Sequence, residues 1–421
     1  MPEIRALENT ARPMQRLGYL KRLIRRVTAT STSNLENLGR DLTDTVTRKT
    51  RVPLDAQRAN YIKQRLYDRA YKTLKDQTNA WLQSGQDAEP PIVAMELQDL
   101  YLADPMLPSQ SGKLVKNDWR KYPQLGVNLG LIRAGTYSHN TRALSFLHFT
   151  PERELKAFLE YQPGTNPMRL SRQQTLLLLY SFLENDGEVV ALLWQQLFSS
   201  QPSRFSDRDA GDLLPKIYRE IITRHRNRII SADERERLLT LEQSAESIAR
   251  WQDAERYVGG AREEASRPRV EPYADLGLLN KPDPFKYEYA FSPPGQVWAE
   301  AFQDVDTSQA IDEFLSKYFF SVAASAWEIE AQTLSEPDEI VPYLYRAWQV
   351  VHSPGGYAPI GELALVAGIE ALLEYKVLLE PTIAREALIA FQKANPYQVR
   401  FTVNRMGVMA HARFLEPVAL D

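Results

Sequence analysis

The sequence predicts a mainly α protein with a few short strands (an α+β chain), divided into several units. Three observations carry this. At 421 residues the chain is too long for one small domain, and 43% hydrophobic with 25% charged residues is a globular balance rather than a disordered one. Apolar residues recur at three- and four-residue steps over most of the length, the period of a helix with one buried face. Short alternating stretches occur late in each unit, where a strand pair is expected.

Five segments follow from the punctuation: a basic arm at 1–54, an amphipathic helix and linker at 55–90, and units at 91–162, 163–303 and 304–421. Ala59, Ile62, Leu66, Ala70 and Leu74 mark a helix over 55–83, and the Gly/Pro-bearing stretch 83–91 is a linker. Helices are expected at 93–103 and 113–128, then a strand at 141–149. Thr150-Pro151 and Ser292-Pro293 each place a capping side chain before a proline, so helices start there. Asn185-Asp186-Gly187 splits an apolar stretch into helices at 171–185 and 187–199. Ser206 with Asp209 opens a helix to about 224. Ser231 with Glu234 forms a capping box for a helix striped by Leu238, Leu241, Ala245 and Ile248, stopping at Gly259-Gly260. Helices at 307–333, 338–351, 359–376 and 381–394 and strands near 285–291 and 398–413 complete the reading.

Charge is uneven. Residues 1–80 hold 17 Lys or Arg against 8 Asp or Glu, a net of +9, and the rest of the chain carries −12. Arg12, Arg16, Lys21, Arg22, Arg25 and Arg26 fall within fifteen residues that contain no acid. Such an arm suits phosphates, whose neutralisation releases counterions; it equally suits docking on the acidic remainder of the chain.

One internal similarity organises the rest. Leu129-Gly-Leu-Ile-Arg133 precedes a polar loop, the stretch 143–149, Thr150-Pro151 and a helix. Leu276-Gly-Leu-Leu-Asn280 precedes Pro282-Asp283-Pro284, the stretch 285–291, Ser292-Pro293 and a helix. The glycine lets a helix stop in a left-handed cap while its leucine neighbours enter the core. A looser third instance joins helix 381–394 to strand 398–403, the turn Asn404–Gly407 and strand 408–412. These stretches resemble winged-helix domains, over residues 91–162, 168–303 and 356–414, without a motif of any subfamily. The resemblance implies tandem winged-helix units joined by long helices. In such units the third helix enters a DNA groove and the wing lies on the backbone, or the unit docks a protein instead. Helix 113–128 offers Lys113, Lys116, Asn117, Arg120 and Lys121 for DNA, with Arg133 beyond it. In the second unit, residues 205–265 are an insertion, Arg267 and Arg269 stand ahead of the Leu276 signal, and the cluster Arg224–Arg228, which ends a helix, reads as structural. In the third, Glu380 and Glu386 oppose groove entry beside Arg385, Lys393, Arg400 and Arg405, which favours protein docking.

Catalysis is not expected. Cysteine is absent, which excludes disulfides, thiol nucleophiles and Cys-ligated metal. His139, His148, His225, His352 and His411 stand at least nine residues apart, so no helical metal pair exists. There is no phosphate-binding Gly-x-x-x-x-Gly-Lys loop, no dinucleotide fingerprint and no Gly-x-Ser-x-Gly elbow. Glu374 and Lys376 with Asp338 are the nearest approach to a nuclease set, but lie in a helical stretch where residues two apart diverge. His148 and His411 read as half-buried strand residues, and Tyr61, Tyr67 and Tyr71 as packing residues on a basic helix. No cofactor or metal is expected. No stretch approaches the roughly 20 apolar residues that span a bilayer. Residues 10–33 weakly resemble a transit peptide, against which Glu3 and Glu8 stand, so the cytoplasm is the expected location.

The sequence therefore leads to a non-catalytic subunit of a larger bacterial complex that grips double-stranded DNA through phosphates, with other protein subunits, an ATPase among them, as partners. The alternative is an architectural, kleisin-like interaction subunit of a chromosome-organising or defence complex. A transcriptional regulator comes third, and lacks a legible ligand pocket or dimer helix.

Overall fold

The computed structural model describes residues 4–7, 17–18, 20–21, 23–24, 121–133, 138–150, 170–200, 204–226, 231–253, 261–282, 287–404 and 408–418. The described chain is mainly helical, with short strands in three small sheets. No helix among these residues is long and apolar enough to cross a membrane. The readings for 55–83, 83–91 and 93–103, the helix after Thr150, the stop at Gly259-Gly260 and the three basic-helix tyrosines lie outside the described residues.

Helix α1 (Lys121–Asn128) ends at Gly130, whose φ of 68° is the left-handed cap. The Leu131 amide bonds the Gly126 carbonyl at 2.8 Å, and the Leu278 amide does the same to Tyr273 at 2.9 Å beside Gly277 at φ 75°. The repeat in the sequence is thus a repeat of geometry. Its first copy, however, has a different register downstream. Residues 141–149 are not a strand: Thr141–His148 is helix α2, capped by the Asn140 side chain, which accepts from the Arg142 amide at 2.7 Å. The strand pairing comes earlier, as a single bridge between Ile132 and His139. Asn140, not Thr150, is the counterpart of Ser292, because their amides bond the carbonyls of Leu131 and Leu278 respectively. Ala, Leu and Phe dominate 143–149 without a β-branched residue, so helix propensity prevailed over an alternation with only local support.

Helix α3 (Arg172–Ser200) is apolar on all sides because it is central; Leu176–Leu179 and Val189–Ala191 are almost wholly buried. The expected split is a kink within one helix, at Asp186 with φ −127° and ψ 17°. Its second half begins a unit that continues through β1 (Phe205–Ser206), α4 (Asp207–Arg226), α5 (Ala232–Asp253), α6 (Ala261–Asp275) and the strands β2 (Leu279–Asn280) and β3 (Glu288–Phe291). Both expected helix starts are present: Ser206 with Asp209, and the reciprocal Ser231–Glu234 box. β3 lies between β1 and β2, antiparallel to both. Helix α7 (Pro293–Ala301) then starts at the Ser292 cap. Trp194 is the hub of this core, edge-on to Tyr273, Phe291 and Phe302.

The expected helix at 307–333 is two helices, α8 (Ser308–Lys317) and α9 (Phe319–Ala326), broken at Tyr318. Strand β4 (Gln332–Thr333) follows and pairs in parallel with β6 (Val377–Leu378). The last unit runs α10 (Pro337–Val351), β5 (Ala358–Pro359), α11 (Ile360–Glu370), a π-helical turn (Ala371–Tyr375), β6, α12 (Pro381–Ala394), β7 (Val399–Val403) and β8 (Met409–Phe414). Here β8 lies between β5 and β7, again antiparallel to both. Helix, short strand, helix, helix and hairpin, with the first strand laid on the hairpin's second, is the order in both units; α5 is an extra helix in the earlier one.

Candidate nucleic-acid interface

Of the eleven basic-arm and helix 113–128 residues expected to meet DNA, two are described. Lys121 is the first residue of α1. Lys21 contradicts its expected role: it is completely buried, among Leu17, Leu20, Leu23 and Ile24, which are buried too. The stripe of apolar residues thus pulls that turn into the core, and Lys21 with it. Arg12, Arg16, Arg22, Arg25, Arg26, Lys113, Lys116, Asn117 and Arg120 lie outside the described residues.

What the structure adds is how the arm is tethered. Ile4–Leu7 lie along the kink of α3, bonded to Asp186 and Glu188. The Arg5 amide donates to Glu188 Oε2 at 2.9 Å and its carbonyl accepts from the Glu188 amide at 3.1 Å. The Leu7 amide donates to Asp186 Oδ1 at 2.8 Å, and Arg269 donates to the Leu7 carbonyl at 2.9 Å. Ten residues on, the Leu17 amide donates to Asp275 Oδ2 at 2.5 Å.

Behind these contacts lies a buried polar network. Burial pushes the Asp186 carboxyl up, against the pull of Arg269 and the Leu7 amide. Burial acts the same way on Glu188, yet hydrogen bonds from His225 (3.0 Å), the Arg5 amide and Ser308 (2.7 Å) hold its carboxyl below the usual range. His225 and Arg269 are therefore internal partners.

The third helices of the two matching units differ in access. In α6, Ser266 and the run from Pro268 to Tyr273 are buried, and Arg267 pairs with Asp207 at 2.7 Å. Helix α4 and the extra helix α5 pack on it, so this helix faces protein; of the stretch 205–265 expected as an insertion, α5 is the helix without a counterpart in the last unit. In α12, Arg385, Glu386 and Lys393 are exposed. Glu380 does not stand beside them, contrary to expectation. It is 3% exposed and caps α9, accepting from the Phe320 amide (3.1 Å), the Ser321 amide (2.7 Å) and the Ser321 hydroxyl (2.6 Å). Burial raises its carboxyl, and those hydrogen bonds partly offset the rise.

The hairpin after α12 has one core face and one open face. Val399 pairs with Phe414 and Phe401 with Ala412 toward the core; Arg400 pairs with Arg413 and Thr402 with His411 on the other side. Arg400, His411 and Arg413 are exposed. Arg385, Lys393, Arg400 and Arg413 have no ion pair among the described residues. A sequence reading could weigh Arg400 and Arg405 but not Arg413, because only the register puts Arg413 across from Arg400.

A cavity of about 540 Å³ lies between the end of α2 and the last unit, lined by His148, Gln173, Arg346, Gln349, Glu374 and Tyr375 among others. His148, on a helix rather than the expected strand, bonds Glu370 through Nε2 at 2.7 Å. That bond raises its imidazole above the usual value although half burial opposes it. Glu374 and Lys376 sit in and just after the π-helical turn, Lys376 with φ 58°. No group of three His, Cys, Asp or Glu among the described residues is placed to hold a metal ion. No family model matches the chain, and neither the curated proteins nor the solved structures contain a match to it.

Proposed function

We propose that the chain is a nucleic-acid-binding subunit without catalysis of its own, built on tandem winged-helix units. The shared order of helix, strand, helix, helix and hairpin, with the same strand arrangement in two units, supports the winged-helix reading. The observation that carries binding is the last unit, where an outward third helix and an outward hairpin face bring Arg385, Lys393, Arg400 and Arg413 to the surface without internal ion pairs among the described residues. With Glu380 committed to the α9 cap, Glu386 is the acid left exposed on that helix. Phosphates neutralised there make affinity fall steeply with salt.

The test is fluorescence anisotropy of the whole chain with a labelled random duplex at about 50 and 200 mM salt. Micromolar or tighter binding at low salt is expected, and the Arg400→Ala/Arg413→Ala double variant should reduce the log–log salt slope by roughly 2. Absence of binding at low salt overturns the reading.

A second reading, a protein-docking scaffold, draws on one observation: the third helix of the earlier unit is already covered by protein. The two readings combine if the earlier unit is structural and the last one meets nucleic acid.

A further inference from the structure

We propose that the cavity between the end of α2, α10 and the π-helical turn is a binding site for a small zwitterion, a free amino acid or short peptide with an apolar side chain. This goes beyond the nucleic-acid reading and does not rest on it. The cavity measures about 540 Å³, within the roughly 300–1,000 Å³ of small-molecule sites. Its walls hold one cation and one anion that no ion pair neutralises. Arg346, half-buried on α10, makes no hydrogen bond or ion pair among the described residues; its guanidinium lies instead over the rings of Tyr375 (4.9 Å) and Tyr343 (5.9 Å). Glu374, exposed in the π-helical turn, likewise makes neither, and forms no ion pair with Arg346. The other two charged groups of the lining, His148 and Glu370, are committed to each other through their 2.7 Å bond. Glu374 favours the His148 cation from nearby without bonding it.

The π-helical turn is what assembles this wall. Glu370, Glu374 and Tyr375 all line the cavity. In an α-helix a residue five positions on points well away from the first; the wider i→i+5 turn brings it round, so Tyr375 joins Glu370 and Glu374 on one side. Tyr375, 44% exposed, and the exposed Gln349 and Glu374 leave the cavity open to solvent. Gln173 and Gln349 add side-chain amides without a hydrogen-bond partner among the described residues, and Phe149 and Val350 add apolar wall. The planar fork of arginine matches a carboxylate, and an ammonium group pairs with Glu374. Other ligand classes satisfy one of the two charges at the expense of the other. A phosphate-bearing anion suits Arg346 and is repelled by Glu374; a polyamine suits Glu374 and is repelled by Arg346; an uncharged molecule pairs with neither. A zwitterion pairs with both while its side chain lies against Phe149 and Val350.

The experiment is isothermal titration calorimetry of the whole chain with phenylalanine and with the dipeptide phenylalanylphenylalanine. A dissociation constant below about 1 mM is expected for at least one, and the tighter of the two identifies whether the site takes an amino acid or a peptide. That zwitterion is then compared with its N-acetylated form, which lacks the ammonium, and its amidated form, which lacks the carboxylate. Each is expected to bind about tenfold more weakly. Glu374→Gln should erase the penalty of acetylation and leave that of amidation; Arg346→Met should do the reverse. Because Glu374 is exposed and bonds nothing among the described residues, Glu374→Gln should leave circular dichroism unchanged. That variant keeps the test sound where Arg346→Met, losing two ring contacts, costs stability. Absence of heat from both zwitterions at millimolar concentration overturns the inference. So does equal affinity for the blocked forms, or a Glu374→Gln protein that still discriminates against acetylation. None of these outcomes bears on duplex binding, which its own titration reads.

Discussion

Asp186 and Arg269 form an ion pair that is at most 3% exposed on either side chain. Burial by itself would push the proton onto Asp186, and what opposes this is the guanidinium together with the Leu7 amide. Removing one partner of such a pair strands a charge in the core, so Arg269→Leu should cost about 3–5 kcal/mol, read by urea denaturation. A loss below about 1 kcal/mol would mean the pair is not desolvated as described. Two glycines make a second comparison at this scale. Gly277 has φ 75° and open space where a Cβ would lie, so Gly277→Ala meets only the backbone term, about 1–2 kcal/mol. A Cβ on Gly295 would sit 1.8 Å from the Leu278 carbonyl oxygen, so Gly295→Ala should be far more costly, with α7 forced off the hairpin. Equal melting temperatures for the two variants would contradict this close approach.

Helix α2 is held on α11 by two charged hooks. Arg142 near its start engages Glu362 and also Glu184 on α3; His148 at its end engages Glu370. Of the two, the histidine hook is the one whose charged form the Glu370 bond favours. Because the folded His148 imidazole is raised above its ordinary value near 6.5, its contribution is fully present below that pH and is lost as pH rises through the folded value. Melting temperature should therefore fall over this window above about pH 6.5, and His148→Gln should flatten the dependence; an unchanged profile in the variant would show that the hook carries none of it. The same helix marks the limit of what the sequence conveys. Caps at Ser206, Ser231 and Ser292 were legible because each is a local exchange between a side chain and nearby amides. Asn140 does not stand out as a cap in the sequence, because the polar loop before it reads as the lead into a strand. The break at Tyr318, the π-helical turn after Glu370 and the fate of Glu380 depend on what packs alongside, which no window of sequence contains.

Over the whole molecule, the topology of the last two units was readable to the level of helix order and a closing hairpin, and the short strands β1 and β5 that complete each sheet were not. Two-residue strands carry no period, and only their partners reveal them. Of the candidate interface only the charge was legible: Arg385, Lys393 and Arg400 stand out in the sequence but beside Glu380 and Glu386 favour protein docking, and the pairing with Arg413 needs the register. The same scale changes what a truncation means. Ile4 and Ala6, like Leu17, Leu20, Leu23 and Ile24, are core residues, so deleting residues 1–30 removes packing along with basic side chains. Differential scanning calorimetry should show a fall of several degrees in melting temperature for that deletion, and any lost DNA affinity must be judged against it; an unchanged melting temperature would contradict the burial of this segment. A consequence follows for biosynthesis. Arg269, which donates to the Leu7 carbonyl, lies 262 positions after it in the chain and is made that much later. At about 5–20 residues per second the segment waits roughly 13–50 s before its seat is complete. During that time Asp186 and Glu188 can already take the Leu7 and Arg5 amides, while the Leu7 carbonyl and the Asp186 carboxylate still lack the guanidinium that completes the seat.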